Sequence, residues 1–156
     1  MRFEICDIIL RKSHITHLKS KIRIKMSKEK VVLAYSGGLD TTFCALFLSK
    51  ELGYEIHAIM VDTGGYTADE LESIKNKALS LGIASYKCIH ITDAFYDKCI
   101  KYLIMGNVLK NNTYPLSVSA ERVFQAIAIA QYAKEMQADA IAHGSTGAGN
   151  DQIRFD

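Results

Sequence analysis

The 156-residue chain has one proline, no tryptophan and no apolar run long enough to span a bilayer. A membrane-crossing helix needs roughly 18 to 20 consecutive apolar residues, and segments such as Val31 to Tyr35 fall far short, which excludes a helical membrane protein. Paired cysteines at two-residue spacing are also lacking. Cys6, Cys44, Cys88 and Cys99 lie far apart and read as free thiols in a reducing, cytoplasmic setting, most simply as buried small hydrophobes. Histidine gives no metal pattern: His57 and His90 fall in strand positions and read as structural, and His143 has no assignable role. What remains is 49% hydrophobic and 23% charged, the mix of a globular protein of about one domain rather than a disordered one.

The net charge of +2 conceals an asymmetry. Residues 1–30 hold nine Lys or Arg against three Asp or Glu, a net of +6, and the rest of the chain is net −4. The body therefore offers no basic groove, and no nucleic-acid partner is expected. The leader has no sustained period and lacks the apolar core of roughly 7 to 15 residues that a secretory signal needs. Glu4 and Asp7 are unusual for a transit peptide. Residues 1–29 are expected to be a basic N-terminal extension, disordered or dispensable, either preceding a true start at Met26 or serving as a surface-binding arm.

From Lys30 onward, strand and helix patterns alternate as in parallel α/β sheets. Val31–Tyr35 reads as a buried strand, and Thr41–Leu52 as a helix stopped by Gly53. Glu55–Val61 is a second strand ending in Asp62-Thr63-Gly64-Gly65, followed by an amphipathic helix over Ala68–Leu81 that Gly82 closes. Ser85–Ile91 supplies a third strand and Asp93–Leu109 a third helix, which a loop over Asn111–Pro115 ends. A long helix over Ser117–Met136 and a short strand over Ala138–Ala142 complete the series. The expectation is an α/β fold, a doubly wound, mostly parallel sheet with helices on both faces. Right-handed crossovers then place ligand sites outside the carboxyl ends of the strands.

Two glycine-rich loops fall at such ends. SGGLDTT (Ser36–Thr42) follows the first strand and opens a helix, the geometry of an anion site. Gly37 and Gly38 let the backbone turn and approach a ligand, and the unpaired N–H groups of the next helix point outward. Ser36, Thr41 and Thr42 add hydroxyls, and Asp40 can cap the helix or hold a cation accompanying phosphate. The loop has no lysine before a Ser or Thr and no third glycine, so it is neither a Walker A loop nor a dinucleotide fingerprint. On composition alone, a plain strand-to-helix turn and an anion cradle both remain open.

SGGLDTT after Ala34-Tyr35, with GSTGAGND after a later strand, resembles the pyrophosphatase-loop enzymes, which cleave ATP between its α and β phosphates. Two narrower motifs, Tyr114-Pro115-Leu116-Ser117-Val118-Ser119-Ala120-Glu121-Arg122 and the run from Ala142 to Phe155, resemble the argininosuccinate synthase family over about Lys30 to Asp156. The resemblance implies an adenine nucleotide alpha hydrolase-like, Rossmann-like fold and an ATP- and Mg2+-dependent condensation of citrulline with aspartate, releasing AMP and pyrophosphate. It implies that Ala34, Tyr35, Ser36, Gly37, Gly38, Leu39, Asp40, Thr41, Thr42 and Gly144 bind ATP. Tyr114, Ser119, Asn150 and Arg154 would bind citrulline, and Thr146, Asn150 and Asp151 would bind aspartate. Val61 is a weak nucleotide contact at best.

The physical logic agrees, since Arg154 offers a fork for a carboxylate, Thr146 and Asn150 offer neutral donors, and Asp151 can accept from an ammonium. No dedicated catalytic nucleophile is required, and no metal ligand is assigned. Members of the family are longer, with a second synthetase domain and a C-terminal helix that helps build a homotetramer. Residues 30–156 are thus expected to be an ATP-binding domain without that second domain, with a non-catalytic ATP-binding module or another adenylating enzyme of the same loop class as alternatives.

Overall fold

The computed structural model describes residues 28–145, with the side chain of Lys110 excepted. Four parallel strands form the central sheet in the order β3-β2-β1-β6: β1 (Lys30–Ala34), β2 (Glu55–Asp62), β3 (Ser85–His90) and β6 (Ala140–Ala142). β1 sits between β2 and β6, in register Val32↔His57 and Val32↔Ile141. Its side chains alternate between two covered faces, so β1 is apolar at every position from Val31 to Ala34 rather than at every second residue. Val31 and Leu33 enter one core with Cys44, Ala45 and Leu48 of the first helix, Ile56 of β2 and Ala78 of the second helix. Val32 enters the other with Ile59, Val61, Ala128, Ile129, Tyr132 and Ala133.

The helices follow from these two faces. α1 (Leu39–Leu46) runs on through a π-helical turn at Phe47–Glu51, and α2 (Ala68–Ser80) packs beside it on the first core. α2 begins in a capping box: Thr67 Oγ1 accepts from the Glu70 N–H at 3.3 Å, and the Thr67 N–H donates to Glu70 Oε2 at 2.8 Å. α5 (Ser117–Glu135) covers the second core, with Phe124 meeting Phe95 of the short α3 (Thr92–Phe95) at 5.1 Å between ring centroids. The chain is doubly wound, as expected. The amino ends of β1 and its neighbour β6 are tied by the Lys30 N–H donating to Asp139 Oδ2 at 2.8 Å.

Two details differ from the sequence reading. The expected third helix is a succession of α3, a π-helical turn at Tyr96–Ile100 and α4 (Lys101–Met105), ending before Leu109. Gly106 and Asn107, the latter at φ 45°, turn the chain out of the helix. The loop after it is a small antiparallel hairpin, β4 (Leu109–Lys110) against β5 (Tyr114–Pro115), with Asn111 and Asn112 both at positive φ, a conformation asparagine tolerates better than most residues. Among the cysteines of the described residues, Cys88 and Cys99 are free as read.

Candidate functional site

β1 and β6 are neighbours in the sheet, yet the chain leaves β1 toward β2 and arrives at β6 from the opposite face. The loops after them therefore diverge, and such a switch point opens a crevice at the carboxyl ends. A cleft of about 310 Å³ lies there, with Ala34, Tyr35, Ser36, Gly38, Asp40, Thr41, Gly144 and Ser145 along one side.

The loop from β1 to α1 is built by its own hydroxyls. The Tyr35 N–H extends the sheet by donating to Ile59 O at 2.8 Å, and its phenol, 3% exposed, shares a 3.4 Å hydrogen bond with Thr42 Oγ1. Ser36 and Thr41 share one of 3.3 Å, and the Thr41 and Thr42 hydroxyls both donate to Gly38 O, at 3.3 and 2.7 Å. Gly38 is the N-terminal cap of α1 and supplies no side-chain acceptor, so no side chain of the cap occupies the amides of that first turn. The positive end of α1 and two hydroxyls thus face the cleft, an arrangement that attracts phosphate.

Two glycines are required by geometry. Gly37 sits at φ +78°, and a Cβ there would lie 3.0 Å from Ile74 Cγ1 of α2. At Gly144, a Cβ would lie 3.0 Å from Thr41 Cγ2 and 3.3 Å from the Thr41 backbone nitrogen. The β6 loop is therefore seated directly on the start of α1. The Ser145 N–H donates to His143 Nδ1 at 3.2 Å, holding that loop's turn.

The opposite wall comes from elsewhere in the chain. Ile59, Met60 and Val61 at the end of β2 form an apolar floor with Ile129, and Tyr66, Glu121, Arg122 and Gln125 complete the lining. Glu121 Oε1 accepts from Thr63 Oγ1 and from Gln125 Nε2, each at 2.9 Å, and Gln125 Oε1 accepts from Arg122 Nη1 at 2.9 Å. The network joins α5 to the turn after β2. That turn is held in place by Asp62, 6% exposed, whose carboxylate accepts from the Gly64 N–H at 2.8 Å and pairs with His90 Nδ1 at 2.9 Å. Behind it, burial chiefly, with Asp62 adding to it, pushes the Cys88 thiol above its ordinary range, and burial pushes the Tyr86 phenol up to about 12. Neither group is poised for nucleophilic work.

The residues expected around ATP are thus mostly brought together, with three exceptions outside the cleft lining. Gly37 faces α2, Leu39 is 84% exposed, and Thr42 spends its hydroxyl on Gly38 O. Tyr114 is exposed on β5, and Ser119 lies half-buried in the first turn of α5; neither lines the cleft. Thr146, Asn150, Asp151 and Arg154 lie outside the described residues. Tyr66 and Gln125 have no sequence motif to mark them. Glu121 and Arg122 stood inside a quoted motif without a role. A signal existed in the spacing: Glu121, Gln125 and Ile129 recur every fourth residue, one helix stripe that is polar at its start and buried further on.

Comparison with known proteins shows what the chain and its fold are similar to. Residues 30–156 match the family model described as the arginosuccinate synthase N-terminal HUP domain. The chain is 44% identical over 131 residues to an argininosuccinate synthase of Xylella fastidiosa and 40% identical over 127 residues to one of Hyperthermus butylicus. These alignments cover 84% and 81% of the chain but only 32% and 31% of the relatives, so the chain spans about a third of their length. Among solved structures, an NH3-dependent NAD synthetase of Campylobacter jejuni superposes with a TM-score of 0.57 at 21% identity, covering 78% of this chain and 49% of that one. An NMN synthetase of Francisella tularensis gives 0.54 at 16% identity, covering 73% and 44%.

Proposed function

The chain belongs to the argininosuccinate synthase family, and from that premise we propose that residues 30–156 are the ATP-binding domain of a ligase that joins citrulline to aspartate with release of AMP and pyrophosphate. The observation that carries this reading is the uncapped start of α1, set at the switch point with Ser36 and Thr41 beside it and Gly144 pressed against it. Chain, loop and hydroxyls converge on the place where a triphosphate would lie.

In this reading Ser36, Gly38, Asp40, Thr41 and Gly144 surround the phosphates, with Ala34 and Tyr35 at the base of the loop. Gly37, Leu39 and Thr42 act through the loop's shape. The apolar floor of Ile59, Met60 and Val61 suits the flat face of adenine. Mg2+ would be held by Asp40 together with the phosphate oxygens, since among the described residues no three His, Cys, Asp or Glu side chains gather to cage a metal. Bound so, Mg2+ neutralises charge on the phosphates.

The reaction needs no enzyme nucleophile. The ureido oxygen of citrulline bonds to the α-phosphorus as the bond to pyrophosphate breaks, and the aspartate amine then displaces AMP from the ureido carbon. The protein's task is to align these partners, a contribution worth roughly 7 to 11 kcal/mol at best. Tyr114, Ser119, Asn150 and Arg154 are proposed to meet citrulline, and Thr146, Asn150 and Asp151 to meet aspartate. The whole enzyme is proposed to be cytoplasmic and homotetrameric. No helix among the described residues is long and apolar enough to cross a membrane.

Pyrophosphate release by the purified chain with Mg-ATP, measured with no amino acid, with citrulline, and with citrulline plus aspartate, tests the proposal. Citrulline-dependent release supports adenylation by this chain. ATP binding without release makes it an ATP-binding module of the same lineage, and absence of ATP binding overturns the reading.

A further inference from the structure

The phosphate loop contains no lysine, yet one reaches it through space. Lys77 of α2, forty residues further along the chain, donates from Nζ to Gly37 O at 2.6 Å. Ile74, one turn earlier on the same helix, lies against Gly37, within 3.0 Å of where a Cβ would stand. Two side chains of α2 therefore grip one peptide of the loop, from the side away from the cleft.

That peptide is the one that matters for an anion. The chain has no cis bond among the described residues, and in a trans peptide the carbonyl and the following N–H point in opposite directions. Fixing Gly37 O toward α2 thus turns the Gly38 N–H the other way, and Gly38 lines the cleft. In the protein alone this N–H makes only a 3.4 Å contact with Ser36 Oγ, at the long limit of a hydrogen bond, so it is available to a better acceptor. An ammonium on the carbonyl also polarises the peptide and strengthens its N–H as a donor, the mutual reinforcement expected of linked hydrogen bonds.

We propose that Lys77 is a positioning residue for phosphate binding: from outside the cleft it latches the Gly37–Gly38 peptide and presents the Gly38 N–H to the ligand's phosphates. Unlike the lysine of a Walker A loop, which reaches the phosphates directly, it acts through the backbone of the loop. The inference rests on the ATP-site reading, and one of its tests is independent of that reading.

The test compares wild-type chain with K77M and K77R. In the ligand-free protein, amide NMR of K77M shows the Gly38 resonance displaced while the β1 amides stay in place. Calorimetric titration shows pyrophosphate and Mg-ATP bound about three- to tenfold more weakly by K77M, adenosine bound equally, and K77R restored toward wild type. A change confined to the phosphate-bearing ligands separates positioning from general destabilisation, as does an unchanged melting temperature. An unmoved Gly38 resonance overturns the latch whatever the nucleotide does, and equal pyrophosphate affinity in K77M overturns its coupling to binding. If the wild type binds no nucleotide, the ATP reading fails while the Gly38 resonance still decides the latch.

Discussion

Replacing Gly37 by alanine separates two kinds of strain in the phosphate loop. The residue sits at φ +78°, where a Cβ meets its own carbonyl oxygen, and for an L-residue this left-handed conformation costs about 1 to 2 kcal/mol. The new methyl would also stand 3.0 Å from Ile74 Cγ1 and 3.3 Å from its Cγ2, closer than ordinary van der Waals contact, which adds about 0.5 to 1 kcal/mol as Ile74 is pushed off its rotamer. G37A should therefore lose about 1.5 to 3 kcal/mol in urea unfolding, with an unchanged m-value. I74A alone loses a partly buried side chain, but in the double variant G37A/I74A the clash is gone and only the backbone term remains. A double-mutant cycle should return about 0.5 to 1 kcal/mol of favourable coupling. ATP affinity should fall in G37A and stay low in the double variant, because the backbone strain that tilts the Gly38 N–H persists. Destabilisation below about 0.5 kcal/mol in G37A would refute the argument that this position needs glycine, and zero coupling would refute the α2 contact.

Gly144→Val should abolish measurable ATP binding with a smaller effect on folding, since its side chain would press on the Thr41 backbone at the start of α1; near-normal binding in a titration would contradict the seating of the β6 loop there. Thr67→Ala should cost about 1 kcal/mol of stability by removing the cap of α2, read from denaturant midpoints. The same cap imposes a pH dependence: hydrogen bonds from the Thr67 backbone and then its hydroxyl hold Glu70 below the usual carboxylate range, so its contribution is present above the unfolded carboxyl's pKa and is lost as pH falls through the lowered one. E70Q should flatten that acid limb. At the other extreme, Tyr86 titrates near 12 in the fold against about 10 when unfolded, so the folded state holds the extra proton and stability falls as pH rises from about 10 through 12. Y86F should abolish this alkaline slope; an identical slope in the variant would show that another group causes it.

What was readable in the sequence was local. β1 and β2 carry apolar runs, Val31 to Ala34 and Ala58 to Val61, each followed within a few residues by a glycine turn, and neither needs a distant partner to be recognised as a strand buried on both faces. The Ser36–Thr42 loop was readable for the same reason, because glycines, hydroxyls and the helix they open are consecutive. What was not readable depends on contacts across the fold. Glu121 joins the site only because Thr63 lies 58 residues away in sequence and 2.9 Å away in space. The hairpin at Asn111–Asn112 was hidden for a different reason: two left-handed asparagines after a helix read equally well as a plain loop until the strands on either side pair.

The same division explains why the loop's missing lysine was an incomplete clue. A Walker A loop keeps its cation in sequence because the loop wraps the phosphates, and the residue after it is already beside them. Here the loop is shorter and opens straight into α1, so a cation within it would have to lie on α1 itself, where Leu39 is exposed and Asp40, Thr41 and Thr42 occupy the first turn. Winding of the sheet supplies the alternative. α2 returns on the same face as α1, and the turn of Ile74 and Lys77 passes the loop's outer side at Gly37. A doubly wound order thereby lets the second crossover buttress the anion site formed by the first, with a lysine of the next helix holding the loop from outside the cleft.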